Sequence, residues 1–232
     1  LSGGPLVENT MAAADAAARA GYAIECDVQL TADGEVVVFH DDFLERLTAG
    51  TGLVHDKTLH ELRAVSFRRA TGPIPTLSEF LACIAGRVPV IIELKSRWDG
   101  STKLAEATAA LLANYTGNAA VMSFDPWLIR ALRLIAPQIV RGIVAERNYT
   151  DPYWQKVTPE QRRDMMGLGH IFRTRPHFVS YRVDDLPAPP PWIARNVFGA
   201  ALITWTVRNE EQRRRSARYA DQMTFEGFVP ED

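Results

Sequence analysis

The chain has 232 residues, 47% of them apolar and 23% charged, with a formal net charge of −2. That is enough for one sizeable core, and it carries no basic excess of the kind that favours nucleic acid. No apolar run approaches the ~20 residues of a bilayer-spanning helix, which argues against stable membrane insertion, and Cys26 and Cys83 sit in apolar segments where a reduced thiol is the usual state, favouring the cytoplasm.

In chain order, "ENTMAAADAAARAG" predicts a helix with Asn9 as N-cap, alanine through its body and Gly21 in a left-handed position at its end. "AIECDVQL" follows as a strand, and Asp33-Gly34 then suits a tight turn into "VVVFH", so these two runs form a hairpin rather than a parallel pair. The segment to about residue 78 is irregular and then briefly helical, with Thr76 or Ser78 starting a helix in "PIPTLSEFLACIAG". It forms a small lobe inserted at about 29–78. From Val88 onward, strands alternate with helix-length segments, the pattern of a parallel sheet. The strands are "VPVIIELK", "AAVMSF", "IVRGIVAE", "HFVSYRV", "ALITWTV" and a weaker "DQMTFEG". Residues 149–174 form an elaborated loop, helical from Thr158. With the strand at Ala23, seven parallel strands are counted, one short of a TIM (β/α)8 barrel of α/β class. Residues 1–232 are therefore read as one domain whose first barrel strand lies upstream of Leu1.

Side chains two apart on a strand share a face, so Glu25 and Asp27 point together while Ile24, Cys26 and Val28 point the other way. Glu93 and Lys95 repeat the arrangement. Burying an unpaired carboxylate costs several kcal/mol, and Lys95 alone cannot offset three. One hard divalent cation, Mg²⁺ or Ca²⁺, can, and it leaves positions for substrate. The competing explanation is ordinary salt bridging of these acids by Arg19, Lys95 or Arg141. His40 ends the next strand in "FHDDFLERLTAGTG", where an imidazole titrating near neutrality can protonate a leaving alkoxide. His55, His60, His170 and His177 have no partner spacing and are taken as non-catalytic. Arg173, Arg175 and Arg182 are taken as solvated loop residues.

The order and spacing of "ENTMAAADAAARAGYAIECDVQLTADGEVVVFHDDFLERLTAGTG", "IPTLSEFL", "VPVIIELK", "MSFD" and "ITWTV" resemble the glycerophosphodiester phosphodiesterase family, from about Val7 to Gly227. The resemblance implies a TIM barrel with a small insertion after its second strand. It implies that Glu25, Asp27 and Glu93 bind the metal, that His40 is one of two catalytic histidines, and that Lys95 contacts phosphate and takes part in catalysis. Ser123, Phe124 and Trp205 correspond to positions lining the substrate pocket. The activity implied is metal-dependent hydrolysis of a small glycerophosphodiester to glycerol 3-phosphate and an alcohol.

Several positions depart from the family pattern. The family's opening strand, ending in His-Arg-Gly, would lie just upstream of Leu1; a barrel without it would expose sheet edges and apolar interior. Val7, Cys26 and "TFEG" replace the usual proline, larger apolar residue and Thr-Asp-x-Pro. Two rivals remain at this level. One is a related barrel enzyme of phospholipase D type acting on lysophospholipids or sphingomyelin, which would need Tyr153, Trp154, Met165 and Met166 as an apolar landing surface. The other is a barrel that binds a phosphodiester without cleaving it. The alcohol group preferred and the oligomeric state are not set by the sequence.

Overall fold

The computed structural model describes residues 6–230, and these divide into two compact units, one holding residues up to 95 with 103–120, the other 96–102 with everything from 121 on. The first barrel strand expected upstream lies outside the described residues.

The first unit opens with α1 (Met11–Arg19). Its N-cap is Thr10, whose hydroxyl accepts from the Ala13 amide at 3.3 Å. Asn9, the expected cap, instead adopts a left-handed backbone and turns its side chain elsewhere. Gly21 takes the positive φ expected of it (77°). Next come β1 (Ile24–Leu30) and β2 (Val36–Val38), paired antiparallel with Val28 opposite Val38 and Leu30 opposite Val36. The hairpin is thus present, turned by Gly34 at φ 87°. Beyond it, α2 (Leu59–Arg63) and α3 (Leu77–Ile84) each begin with a capping box, Thr58 with Glu61 and Thr76 with Glu79.

Between β2 and α3 the chain builds a small core of its own from Phe39, Leu44, Val54, Leu62, Phe67 and Ile74, all buried. It is tied back where the Val38 amide donates to the Pro75 carbonyl at 2.8 Å. The unit then adds β3 (Val90–Leu94), parallel to β1 and in a register that sets Asp27 opposite Glu93, and α4 (Lys103–Leu112).

The second unit takes over within β4 (Ala119–Ser123). It continues through α5 (Pro126–Ile135), β5 (Val140–Ala145), α6 (Pro159–Met166), α7 (Ile171–Thr174), β6 (Phe178–Arg182), α8 (Pro189–Asn196), β7 (Ala201–Val207), α9 (Glu210–Tyr219) and β8 (Gln222–Phe225). The strands β5 to β8 pair in parallel, each with the next, as expected when helices supply the crossovers. The weakly predicted last strand does form, with a register shift against β7 between Thr204 and Val207.

The elaborated loop holds a 3₁₀ turn at Pro152–Lys156, then α6 capped by Thr158. Tyr149, Trp154, Val157 and Met165 pack into a satellite core with Phe124 and Trp98. Trp154 and Met165 are therefore interior residues rather than the landing surface considered above, and only Tyr153 and Met166 of that group are exposed. Among the described residues no helix is long and apolar enough to cross a membrane.

Candidate active site

Alternation along β1 and β3 brings Glu25, Asp27 and Glu93 together, with ligand oxygens all within 4.8 Å of one another. The opposite faces of the same strands are buried Ile24, Cys26, Val28, Ile92 and Leu94. Asp27 and Glu93 are themselves buried. Lys95 lies just past β3 and reaches both, its Nζ 2.8 Å from Asp27 Oδ1 and 2.7 Å from Glu93 Oε1.

One ammonium is thus divided between two carboxylates. Glu25 makes no ion pair among the described residues, and Arg19 and Arg141, the other candidate partners, bond elsewhere: Arg19 with Asp15, and Arg141 with the carbonyls of Thr174 and Pro137.

The protonation preferences follow from this division. Burial pushes the Glu25 carboxyl well above its ordinary range, and the nearby Asp27 and Glu93 push it further. Burial also raises Glu93, against the pull of Lys95. For Asp27 burial acts upward too, but Lys95, His40 and Asn9 outweigh it and hold the group below the usual carboxylate value. Burial disfavours the charge on Lys95, yet Asp27 and Glu93 more than compensate and keep it protonated. The cluster fits a hard divalent cation because its donors are all carboxylate oxygens and its negative charge exceeds what Lys95 offsets.

Asn9 joins the candidate site through Asp27, a contact that sequence reasoning missed. Its Nδ2 donates to Asp27 Oδ2 at 2.8 Å and its Oδ1 accepts from the Asp27 amide at 3.1 Å. Gln29 was missed as well. It sits two residues beyond Asp27 on the same strand, and its buried amide donates to the carbonyls of Phe39 (2.9 Å) and Asp41 (2.7 Å), bracketing His40. The signal for it was the same period-two face that revealed Glu25 and Asp27. His40 itself is half-exposed. Its Nδ1 lies 2.8 Å from Asp41 Oδ1, and that hydrogen bond, helped by the charge of Asp27, raises the imidazole above its ordinary value.

In the second unit, Phe124 and Trp205 meet edge to face with centroids 5.5 Å apart, and the Trp205 indole donates to the Ser180 carbonyl at 3.0 Å. Ser123 is buried and its hydroxyl accepts from the Asp125 amide at 3.1 Å, within the turn into α5. Glu146, unremarked in the sequence, is a buried carboxylate held by Trp154 Nε1 (2.8 Å) and Arg182 (3.2 Å). Arg173 pairs with Asp164, and His177 accepts from the Arg141 amide.

Comparison with known proteins gives this geometry a lineage. The profile of the glycerophosphoryl diester phosphodiesterase family matches residues 2–229. A glycerophosphodiester phosphodiesterase of Caldanaerobacter subterraneus is 29% identical over 237 positions, covering 97% of this chain and 88% of that protein. A Bacillus subtilis protein provisionally named for the same activity is 34% identical over 151 residues, 61% of this chain and 62% of its own length. The chain thus spans less than two thirds of that relative. Among solved structures, an Oleispira antarctica phosphodiesterase in complex with the product sn-glycerol 3-phosphate superposes with a TM-score of 0.79 at 22% identity, covering 97% of this chain and 89% of the other. The fold is therefore that TIM-barrel type.

Proposed function

Because the chain belongs to the glycerophosphoryl diester phosphodiesterase family, we propose that it hydrolyses glycerophosphodiesters to glycerol 3-phosphate and an alcohol, and that Glu25, Asp27 and Glu93 hold one Mg²⁺ or Ca²⁺ for this purpose. The observation that carries the proposal is the meeting of three carboxylates on β1 and β3 with a single shared ammonium. A cation bound there would withdraw charge from the phosphoryl oxygens as the phosphorus is attacked.

The chain's own groups supply the rest. Lys95 is already charged and sits at the carboxylates, so its Nζ can turn to a phosphate oxygen without first acquiring a proton. His40 keeps Nδ1 on Asp41, which leaves Nε2 to exchange a proton with the leaving or attacking oxygen. Phe124, Trp205 and Ser123 are assigned to the substrate pocket, the two rings offering apolar surface to the glycerol or alcohol portion. We read residues 1–232 as one catalytic domain with an inserted lobe at about 29–78, and the free thiols Cys26 and Cys83 support a cytoplasmic setting.

The decisive experiment follows release of glycerol 3-phosphate from a glycerophosphodiester before chelation, after it, and after Mg²⁺ or Ca²⁺ is restored. Activity should vanish and return while the fold persists; full turnover after exhaustive chelation sinks the metal assignment. Glu25→Ala should regain part of its activity at high cation concentration. His40→Ala should lose ~10²-fold or more in turnover at every cation concentration.

A further inference from the structure

His40 is held on more than one side. Gln29 fixes the backbone around it and Asp41 fixes the ring through Nδ1. What fixes Asp41 is Arg46, five residues on. Its Nε donates to Asp41 Oδ2 at 2.5 Å and its second terminal nitrogen to Asp41 Oδ1 at 2.8 Å, a two-point grip on the carboxylate. The same guanidinium reaches Glu8, at 2.5 Å to Oε1 and 3.3 Å to Oε2. Glu8, His40 and Asp41 approach one another closely enough to suggest a second cation site, but the guanidinium already lies between the two carboxylates and supplies the positive charge.

We propose that Arg46 is a positioning residue for His40, acting through Asp41 and anchored by Glu8. The inference rests on the catalytic reading of His40. A lone imidazole–carboxylate contact this close to solvent would contribute little and would sample several geometries. The planar guanidinium fork removes that freedom, because both Asp41 oxygens are engaged and Oδ1 is left aimed at Nδ1. With Nδ1 so occupied, the ring keeps one tautomer and presents Nε2 for proton exchange, the logic by which a buried carboxylate orients a catalytic histidine. The positive charge of Arg46 also keeps Asp41 ionised, so the Nδ1 proton stays on the ring instead of passing to the carboxylate while Nε2 exchanges its own. Arg46 touches neither the carboxylate cluster nor, on this account, the substrate.

The test is a double-mutant cycle on the metal-loaded enzyme, with each variant's fold checked by thermal melting. Arg46→Gln should lower kcat about tenfold or more with KM nearly unchanged, the range typical of residues that orient a catalytic ligand from behind. Arg46→Lys, which keeps the charge but loses the fork, should recover only part of the loss. In the His40→Ala background Arg46→Gln should have no further effect, because there is no ring left to position. With a nitrophenyl ester, whose leaving oxygen needs little protonation, the Arg46→Gln deficit should change in parallel with that of His40→Ala. Wild-type kcat in Arg46→Gln beside a crippled His40→Ala overturns this inference alone. So does an equal loss from Arg46→Gln with and without His40, which would mark a merely structural role. Wild-type turnover in His40→Ala itself overturns the catalytic reading, and the positioning role falls with it.

Discussion

The strand ends of the two units are built from opposite chemistry. In the first unit, β1 and the end of β3 carry Glu25, Asp27, Glu93 and Lys95, charged groups whose mutual pairing is incomplete. The ends of β4, β5 and β7 carry Phe124, Glu146 and Trp205, backed by Tyr149 and Trp154. Here rings meet edge to face, and the buried carboxylates have partners: an indole and a guanidinium for Glu146, the Ser96 hydroxyl and the Trp127 amide for Asp125. In the second region the buried acids are thus paired, whereas the first has surplus negative charge that burial makes costly. If the first region is the reactive one proposed above, a change in each should be felt on a different axis.

The largest effect should come from Glu93→Ala. It removes one of the acids assigned to the cation and half of the anchoring of Lys95, so activity should fall at least ~10³-fold, about 4 kcal/mol at the transition state. Melting should move much less. A comparable loss of melting temperature would show that the charged cluster is part of the scaffold after all. In the aromatic region the reverse holds. Trp154→Ala empties the centre of the satellite core and leaves Glu146 without its indole donor, costing about 3–5 kcal/mol of unfolding free energy by denaturant titration.

Next in size is a pH effect confined to the second unit. Burial drives the His170 imidazole from 6.5 down to about 4, against the upward pull of Asp164. The unfolded chain therefore binds a proton that the folded chain refuses between those values. Stability from this group is complete above about pH 6.5 and falls as the pH drops towards 4, by roughly 3 kcal/mol in all. His170→Asn should flatten that part of the stability profile, and an unchanged slope would sink the assignment. The smallest effect expected is that of Asn9→Gly. Glycine keeps the left-handed backbone but removes both hydrogen bonds to Asp27, so cation affinity measured by calorimetry should drop about tenfold, with stability changed by about 1–2 kcal/mol.

Much of the charged region was legible in the sequence because its signal is local. Two acids separated by one apolar residue on a strand must share a face, and the same holds for Glu93 with Lys95. What escaped was long-range. Asn9 has the chemistry of an N-cap, a short side chain that bonds a nearby amide, and it does accept from an amide. That amide is Asp27, eighteen residues away, while Thr10 takes the helix end. Trp154 and Met165 lie in a polar, irregular segment with no period to betray burial, so their inward packing emerges only once the segment folds over Phe124. Glu146 stands alone at the end of an apolar run, and its partners come from separate segments.

Phe39 and His40 are adjacent in the chain, yet Phe39 is fully enclosed in the lobe's small core while His40 stands half in solvent beside the carboxylates. The group proposed to transfer a proton is thus mounted on the rim of a lobe with a small core of its own. Were β1 and β3 to align and gather their acids before that lobe closes, the species formed would hold the proposed ion ligands but not a positioned His40. Competence would then arrive with closure of the lobe, and protection of the Phe39 amide, which donates to the Asp27 carbonyl, would rise with the gain of turnover rather than with the formation of the sheet as a whole.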